Sequence, residues 1–220
     1  MITWVTQELA ELPASLAWLS RDERARLDTM RVAKRRADYL LGRWTARRAL
    51  AAHLGSASPA AFAVRAACDG SPEALLDGAP LALRLSISHS AGRALAAVSD
   101  TGPLGADLER IEPRSQLLVD DFFTPGEAAQ VAACPPAERD RWITVIWSAK
   151  ESALKARRTG LREDTRHVHV ALGAGAAAWR PLRIAVGHGD ALSGWWCIDA
   201  GFALTIVGAG RPAPITAARA

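Results

Sequence analysis

Two stretches of the chain carry helical periodicity, residues 21–54 and residues 136–158, and each is followed by a series of short apolar runs broken by turn dipeptides. This alternation constrains the fold more than any other feature, because a helix with one apolar face needs a second layer to cover it and the short runs read as strands that supply one. In the first stretch Leu27, Met30, Leu40, Leu41, Trp44, Ala49 and Leu50 recur at roughly helical spacing between basic residues. Ser20 and Glu23 have the spacing of a capping box that starts a helix at Arg21, and a break near residues 30–34 divides the stretch into two helices. In the second, Trp142, Val145, Ile146, Ala149, Ala153 and Leu154 form the apolar face. A shorter helix precedes it, signalled by Thr124 as N-cap, Pro125 at the first position and Glu127 three residues on.

Strands are expected over residues 2–6, 61–67, 83–87, 94–99, 104–108, 168–172, 183–186, 195–199 and 203–207. The D-G-S-P and D-G-A-P tetrapeptides make residues 69–80 a turn region, Ser88 to Arg93 read as a polar turn, residues 171–178 as an Ala- and Gly-rich turn, and the residues after Gly210 as a loose tail. The order helix, strands, helix, strands predicts an α+β chain of two similar halves, 1–100 and 101–220, although no literal repeat is visible.

Composition sets outer bounds. With 220 residues, half of them hydrophobic, the chain can fill a sizeable core, which excludes disorder for most of it. The longest run free of Asp, Glu, Lys and Arg, residues 49–64, is too short and polar to span a bilayer, and the N-terminus has neither the basic nor the apolar region of a secretory signal. A cytoplasmic protein without membrane association is expected. Three widely spaced cysteines, Cys68, Cys134 and Cys197, argue against a disulfide framework or a zinc site and read as inert core thiols. The net charge of +4 is unevenly spread: residues 21–48 hold nine Arg and one Lys against four acids. Such a segment attracts the phosphates of a nucleic acid or a cofactor, or an acidic partner, and it equally describes a solvated helical face. Only three basic residues are Lys, and Lys150 and Lys155 lie five apart; a site that keeps lysine in an arginine-rich chain points to a need for a compact ammonium.

Three short motifs carry candidate chemistry. In G-A-D-L-E, Asp107 and Glu109 project to one side of a strand while Leu104, Ala106 and Leu108 point inward, a carboxylate pair suited to Mg²⁺ and also an ordinary exposed strand face beside Arg110. In W-S-A-K-E-S-A-L-K-A, Glu151 and Lys155 share one helix face flanked by Lys150, which alone reads as a surface ion pair. In S-I-S-H-S, the hydroxyls and imidazole around Ser88 and His89 fit phosphate oxygens, or a capped turn. A nucleophile elbow, G-x-S-x-G, is missing here. A nucleic-acid contact would need the basic stripe without a carboxylate group, so no nucleic acid is expected.

In this order and spacing, and together with D-Y-L-L-G-R-W-T-A-R-R-A-L at residues 38–50, the motifs resemble the 4'-phosphopantetheinyl transferases of the Sfp type over residues 20 to 160. The resemblance implies a monomer of two α/β-like halves about a pseudo-twofold axis, with coenzyme A in the cleft between them. It implies transfer of the phosphopantetheine arm of coenzyme A to a serine of an apo acyl or peptidyl carrier protein, with release of 3',5'-ADP. Asp107, Glu109 and Glu151 would hold Mg²⁺; Glu151 would take the serine proton, directly or through a metal-bound water; Lys155 would meet the α-phosphate and Lys150 would line the same phosphate site. Ser88, His89, Arg35 and Arg43 would contact the phosphates of coenzyme A, with Arg36 and Arg47 as further candidates. Family members often carry a lysine in a G-K-P element where this chain has Gly70-Ser71-Pro72. The length resembles enzymes serving nonribosomal peptide, siderophore or polyketide synthases, whose carriers present an acidic helix to a basic enzyme surface.

Overall fold

A computed structural model of the chain describes residues 1–56, 58–174, 177–187, 190–208 and 215–217. The fold is α+β, and the described residues fall into two compact units, Met1–Gly102 joined by a late strand, and a second beginning at Pro103.

The first unit runs β1 (Ile2–Glu8), α1 (Arg21–Asp28), α2 (Ala33–Leu54), β2 (Phe62–Ala66), β3 (Pro72–Leu76), β4 (Ala79–Pro80), β5 (Arg84–Ser90) and β6 (Arg93–Ser99). The expected capping box starts α1: the Ser20 hydroxyl accepts from the Glu23 amide, and the Glu23 carboxylate accepts from the Ser20 amide. β6 pairs antiparallel with β1 on one side and β5 on the other and is buried along its whole length. α2 lies across this sheet and buries Ala46, Ala49 and Leu50 with Val5, Leu85, Ala96 and Val98. β2, β3 and β4 form a separate small sheet. Glu23 is also the hub of the helix pair. Its carboxylate forms a buried ion pair with Arg47 of α2 and accepts the Val64 amide of β2 at 3.1 Å. Arg36 donates to the carbonyls of Leu27 and Met30, closing the turn between the helices.

The second unit runs β7 (Leu104–Arg110), α3 (Gln116–Phe122), α4 (Pro125–Ala133), α5 (Arg139–Arg157), β8 (Val168–Leu172), β9 (Arg180–Val186), β10 (Asp190–Asp199) and β11 (Phe202–Gly208). Its antiparallel sheet has the order β7-β11-β10-β9-β8. α5 packs on β7 and β11, burying Ile146, Ala149, Ala153 and Leu154 against Val168, Leu182, Ile184 and Val207. The predicted cap is present: Thr124 and Glu127 exchange side-chain and backbone bonds, and Pro125 opens α4.

Several expectations change. The turn-rich region 69–80 holds strands β3 and β4 between its turns, and α3 has no counterpart in the expected elements. β5 runs through Ser88 and His89 to Ser90, so the connection to β6 is only Ala91-Gly92. The expected turn at 171–178 and tail after Gly210 lie partly outside the described residues; within the tail, β12 (Ile215–Ala217) pairs in parallel with β1. Of the cysteines, Cys197 is buried, Cys134 half-buried and Cys68 exposed, and all three are free. Among the described residues no helix is long and apolar enough to cross a membrane.

Among the described glycines of the second unit, Gly105 lies closest to a neighbouring element. A Cβ built there would run into the Ser152 carbonyl of α5 and lie 2.6 Å from the Ala156 amide nitrogen, so backbone meets backbone and neither can give way cheaply. Gly105→Ala is therefore expected to destabilise the fold by about 3 kcal/mol, the upper end for overpacking a core, measured as a lowered denaturant midpoint with unchanged m.

Candidate active site

In the second unit Asp107 and Glu109 follow Gly105 at every second position of β7, on the face that α5 covers. β7 is buried from Leu104 to Leu108, so the carboxylates do not form an exposed strand face; the Asp107 side chain is 4% exposed. The facing turn of α5 supplies Glu151, half-buried, and one turn on Lys155, whose ammonium lies 2.6 Å from Asp107 Oδ1 and 3.3 Å from the Ala106 carbonyl. Glu109 meets a second cation, the guanidinium of Arg114, at 3.1 Å. Arg114 is pinned in turn: its amide donates to Asp140, its guanidinium to the Arg110 carbonyl, and its carbonyl accepts from Arg139.

The electrostatics bind the group together. Burial raises the Glu109 carboxyl above the usual range, repulsion from Asp107 adds to this, and Arg114 and Lys155 oppose it. Burial likewise raises Glu151; Lys155 pulls the other way, and Asp107 and Glu109 both push it further up. Asp107, Glu109 and Glu151 thus feel one another, and Lys155 is shared among them.

Lys150 stands elsewhere. Its side chain is 0% exposed, and its three N–H bonds go to Glu127 at 2.8 Å and the carbonyls of Thr165 at 2.8 Å and Val168 at 2.6 Å. Burial lowers its pKa, and Glu127 counters that. It does not line a phosphate site: on a helix its neighbour Glu151 points about 100° away, so the adjacent letters K-E serve different faces. Arg36 and Arg47 are also fold residues, by the contacts described above.

In the first unit a cavity of about 870 Å³ brings together Arg35, Arg43 and His89. Residues 35, 39 and 43 recur at the helical interval, so α2 turns one polar face to the cavity while the opposite face is buried on the sheet. The Arg43 guanidinium stacks 4.7 Å from the centre of the Tyr39 ring, and Lys34 pairs with Asp38 at 2.9 Å. His89 borders the cavity with Nδ1 3.9 Å from Asp38; Ser88, the next position on β5, faces the other way, is buried and does not line it. Gly70 and Pro72 also border the cavity, so the place of the family lysine, where Ser71 stands, is at its rim. Arg26, Arg31 and Lys34 line it too. Sequence reasoning passed over these three, although 34 and 35 share the face of 38 and 39 on α2; Arg114 had no local signal at all.

Residues 103–201, which hold the whole carboxylate group, match the model of the 4'-phosphopantetheinyl transferase superfamily. The 4'-phosphopantetheinyl transferase HetI of Nostoc is 31% identical over 157 residues, 70% of this chain and 66% of HetI. The chain belongs to the 4'-phosphopantetheinyl transferase superfamily. Two further members are the transferase AcpT of Salmonella typhimurium, 36% identical over 56% of this chain and 59% of AcpT, and Sfp of Bacillus subtilis, 34% identical over 34% of each chain. The chain spans less than two thirds of the length of the curated superfamily members it matches.

Whether the superfamily member could hold a metal rests on its donors. Among the described residues no three His, Cys, Asp or Glu side chains are disposed as a metal site, since Asp107 engages Lys155 and Glu109 engages Arg114. The chemistry of the set still fits a hard dication: three mutually repelling carboxylates and no soft ligand.

Two outcomes test this account. Because Glu151 has a raised folded pKa, the stability it contributes is full below its unfolded pKa and lost as pH rises through the folded one. Glu151→Gln lacks that loss, so in metal-free buffer its melting temperature should exceed the wild type's near pH 8 and match it near pH 4, as read by calorimetry. Lys150→Met should cost ~3–5 kcal/mol in denaturant unfolding by stranding the Glu127 charge, and Lys150→Met with Glu127→Gln should recover most of it.

Proposed function

We propose that this chain is a 4'-phosphopantetheinyl transferase that moves the phosphopantetheine arm of coenzyme A to a serine of an apo acyl or peptidyl carrier protein, working as a cytoplasmic monomer. The observation that carries the reading is the convergence of Asp107, Glu109, Glu151 and Lys155 on β7 and α5, inside the segment that matches the superfamily model. The basic cavity of the first unit supports it: Arg35, Arg43 and His89 suit the phosphates of the nucleotide end, with Arg26, Arg31 and Lys34 replacing the charge that Ser71 lacks.

In the reaction the carrier serine oxygen bonds to the β-phosphorus of coenzyme A, and the bond from that phosphorus to the bridging oxygen breaks, releasing 3',5'-ADP. Glu151 accepts the serine proton, and its burial makes it a stronger base than an exposed carboxylate. Lys155 places its ammonium against the charge that develops on the departing phosphate. Asp107, Glu109 and Glu151 would hold Mg²⁺, which supplies charge neutralisation of the pyrophosphate. The positive face of the first unit would steer an acidic carrier, of the kind that nonribosomal peptide, siderophore or polyketide synthases use.

The test is intact-mass spectrometry of an apo peptidyl carrier protein incubated with the enzyme, coenzyme A and Mg²⁺, with a chelator control. A metal-dependent gain of one phosphopantetheine arm is expected. Asp107→Ala and Glu151→Ala should each cut transfer by about a hundredfold or more while the fold survives. Wild-type turnover in Asp107→Ala would remove the metal assignment, and a wild-type protein that neither transfers nor binds coenzyme A would overturn the reading.

A further inference from the structure

Between α5 and β11 lies a group of hydroxyls in an otherwise apolar layer. Ser148, Ser152 and Thr205 are all 0% exposed. The Thr205 hydroxyl donates to the Ser148 carbonyl at 2.9 Å and shares hydrogen bonds with the Ser148 hydroxyl at 2.9 Å and the Ser152 hydroxyl at 2.6 Å. Ser152 also reaches the Thr205 carbonyl at 3.1 Å. A hydroxyl has one donor and two acceptor positions; Thr205 spends its proton on the Ser148 carbonyl and accepts from the serines, with the Ser152 proton shared between the Thr205 hydroxyl and carbonyl oxygens.

The placement ties this cluster to the chemistry. Thr205 is the direct partner of Asp107 in the β7/β11 pairing, and directly paired residues hold their side chains on the same face of the sheet. On α5 the two serines are one turn apart and interleave with the reactive pair, Ser148 before Glu151, Ser152 between Glu151 and Lys155. Around the cluster Ile146, Ala149, Ala153 and Leu154 pack the helix by apolar contact, which is not directional, and Ser152 and Ala156 lie over Gly105. A hydroxyl that must meet a given partner specifies the axial position strongly, because a slip of α5 along the sheet would strand three buried polar groups.

We infer that Thr205 is a positioning residue: through Ser148 and Ser152 it sets the register of α5 on β7 and so brings Glu151 and Lys155 opposite Asp107. Its role as a determinant of turnover rests on the transferase reading; its role in placing Lys155 does not. Thr205→Ser keeps the hydroxyl, and Thr205→Val keeps the shape and removes it.

Two measurements separate these claims. The chain has only three lysines, so carbon-13 labelling at the lysine ε position resolves each one by NMR. In Thr205→Val the Lys155 signal should move toward that of exposed Lys34, the buried Lys150 signal should stay in place as the internal control of folding, and Thr205→Ser should leave all three unchanged. In transfer assays normalised to the fraction that binds coenzyme A, Thr205→Val should lower kcat by about a hundredfold, the cost of misplacing reacting groups by about an ångström, with KM for coenzyme A unchanged. Thr205→Ser should restore kcat. If Thr205→Val fails to fold, Ser148→Ala takes its place, with a smaller loss of kcat and the same direction of the Lys155 shift. An unmoved Lys155 signal in a folded variant, or a serine variant as impaired as the valine one, overturns the inference. A wild-type protein inactive on every carrier counts against the transferase reading alone, and the lysine spectra still decide the placement.

Discussion

One carboxylate in each unit joins three elements, and the rest of each unit is built outward from that joint. Glu23 caps α1 in a box with Ser20, pairs with Arg47 on α2 and takes the Val64 amide of β2. Glu127 caps α4 in a box with Thr124, pairs with Lys150 on α5 and takes the Val170 amide of β8 at 2.8 Å. The four members, hydroxyl, carboxylate, cation and strand amide, come in the same order along both halves of the chain. A buried ion pair gains little over an apolar substitute, but a half-removed one leaves a stranded charge at ~3–5 kcal/mol, so both partners are held once the joint exists. The similarity of the two halves thus lies in a repeated polar device; the letters around it have diverged, and the cation has become Arg in one unit and Lys in the other.

That joint explains why adjacent residues in W-S-A-K-E-S serve such different ends. Lys150 points into the joint, and its ammonium ties α5 to the segment Thr165–Val168 and to the cap of α4. Glu151, the next residue, is thereby turned toward β7. In a chain with 24 Arg the retention of Lys at 150 has a plain steric reason, since a compact ammonium with three donors fits three acceptors in a closed pocket where a planar guanidinium does not. Lys155 is a lysine for a different reason: 29% exposed, it keeps one side toward Asp107 and one toward solvent.

Much of this was legible locally. Both capping boxes, both long helices, the break between α1 and α2, and the carboxylates of β7 follow from spacing alone. The misses share a cause. In the region 69–80 the turn dipeptides were correctly read as turns, but Asp77-Gly78 has positive φ at both residues, 51° and 81°, the geometry of a two-residue hairpin, and so extends strands on either side. Ala91-Gly92 does the same at 47° and 79°, which puts His89 on a strand where a loop was expected and turns Ser88 away from the cavity. The inward Asp107 was misjudged because alternation tells which residues share a face and leaves open which face a helix covers; here Gly105, by letting α5 approach, selects the acidic one. Arg114 and the partners of Lys150 are tertiary and have no periodic signature.

The cavity of the first unit and the carboxylate group of the second carry charges of opposite sign, and on the proposed reading that opposition has a consequence. The cavity of the first unit presents cations to a polyphosphate, but Asp107, Glu109 and Glu151 carry three potential negative charges against the two of Lys155 and Arg114. Left to itself such a group repels a pyrophosphate, and Glu109 and Glu151 are raised first by burial and further by the charge of the neighbouring carboxylates. Lys155 and Arg114 lower that repulsion enough for the fold to hold the acids close, and a dication would reverse the sign of the whole group. On that reading the carboxylates that strain the fold would also make phosphate binding at the second unit, and with it transfer, conditional on a bound cation.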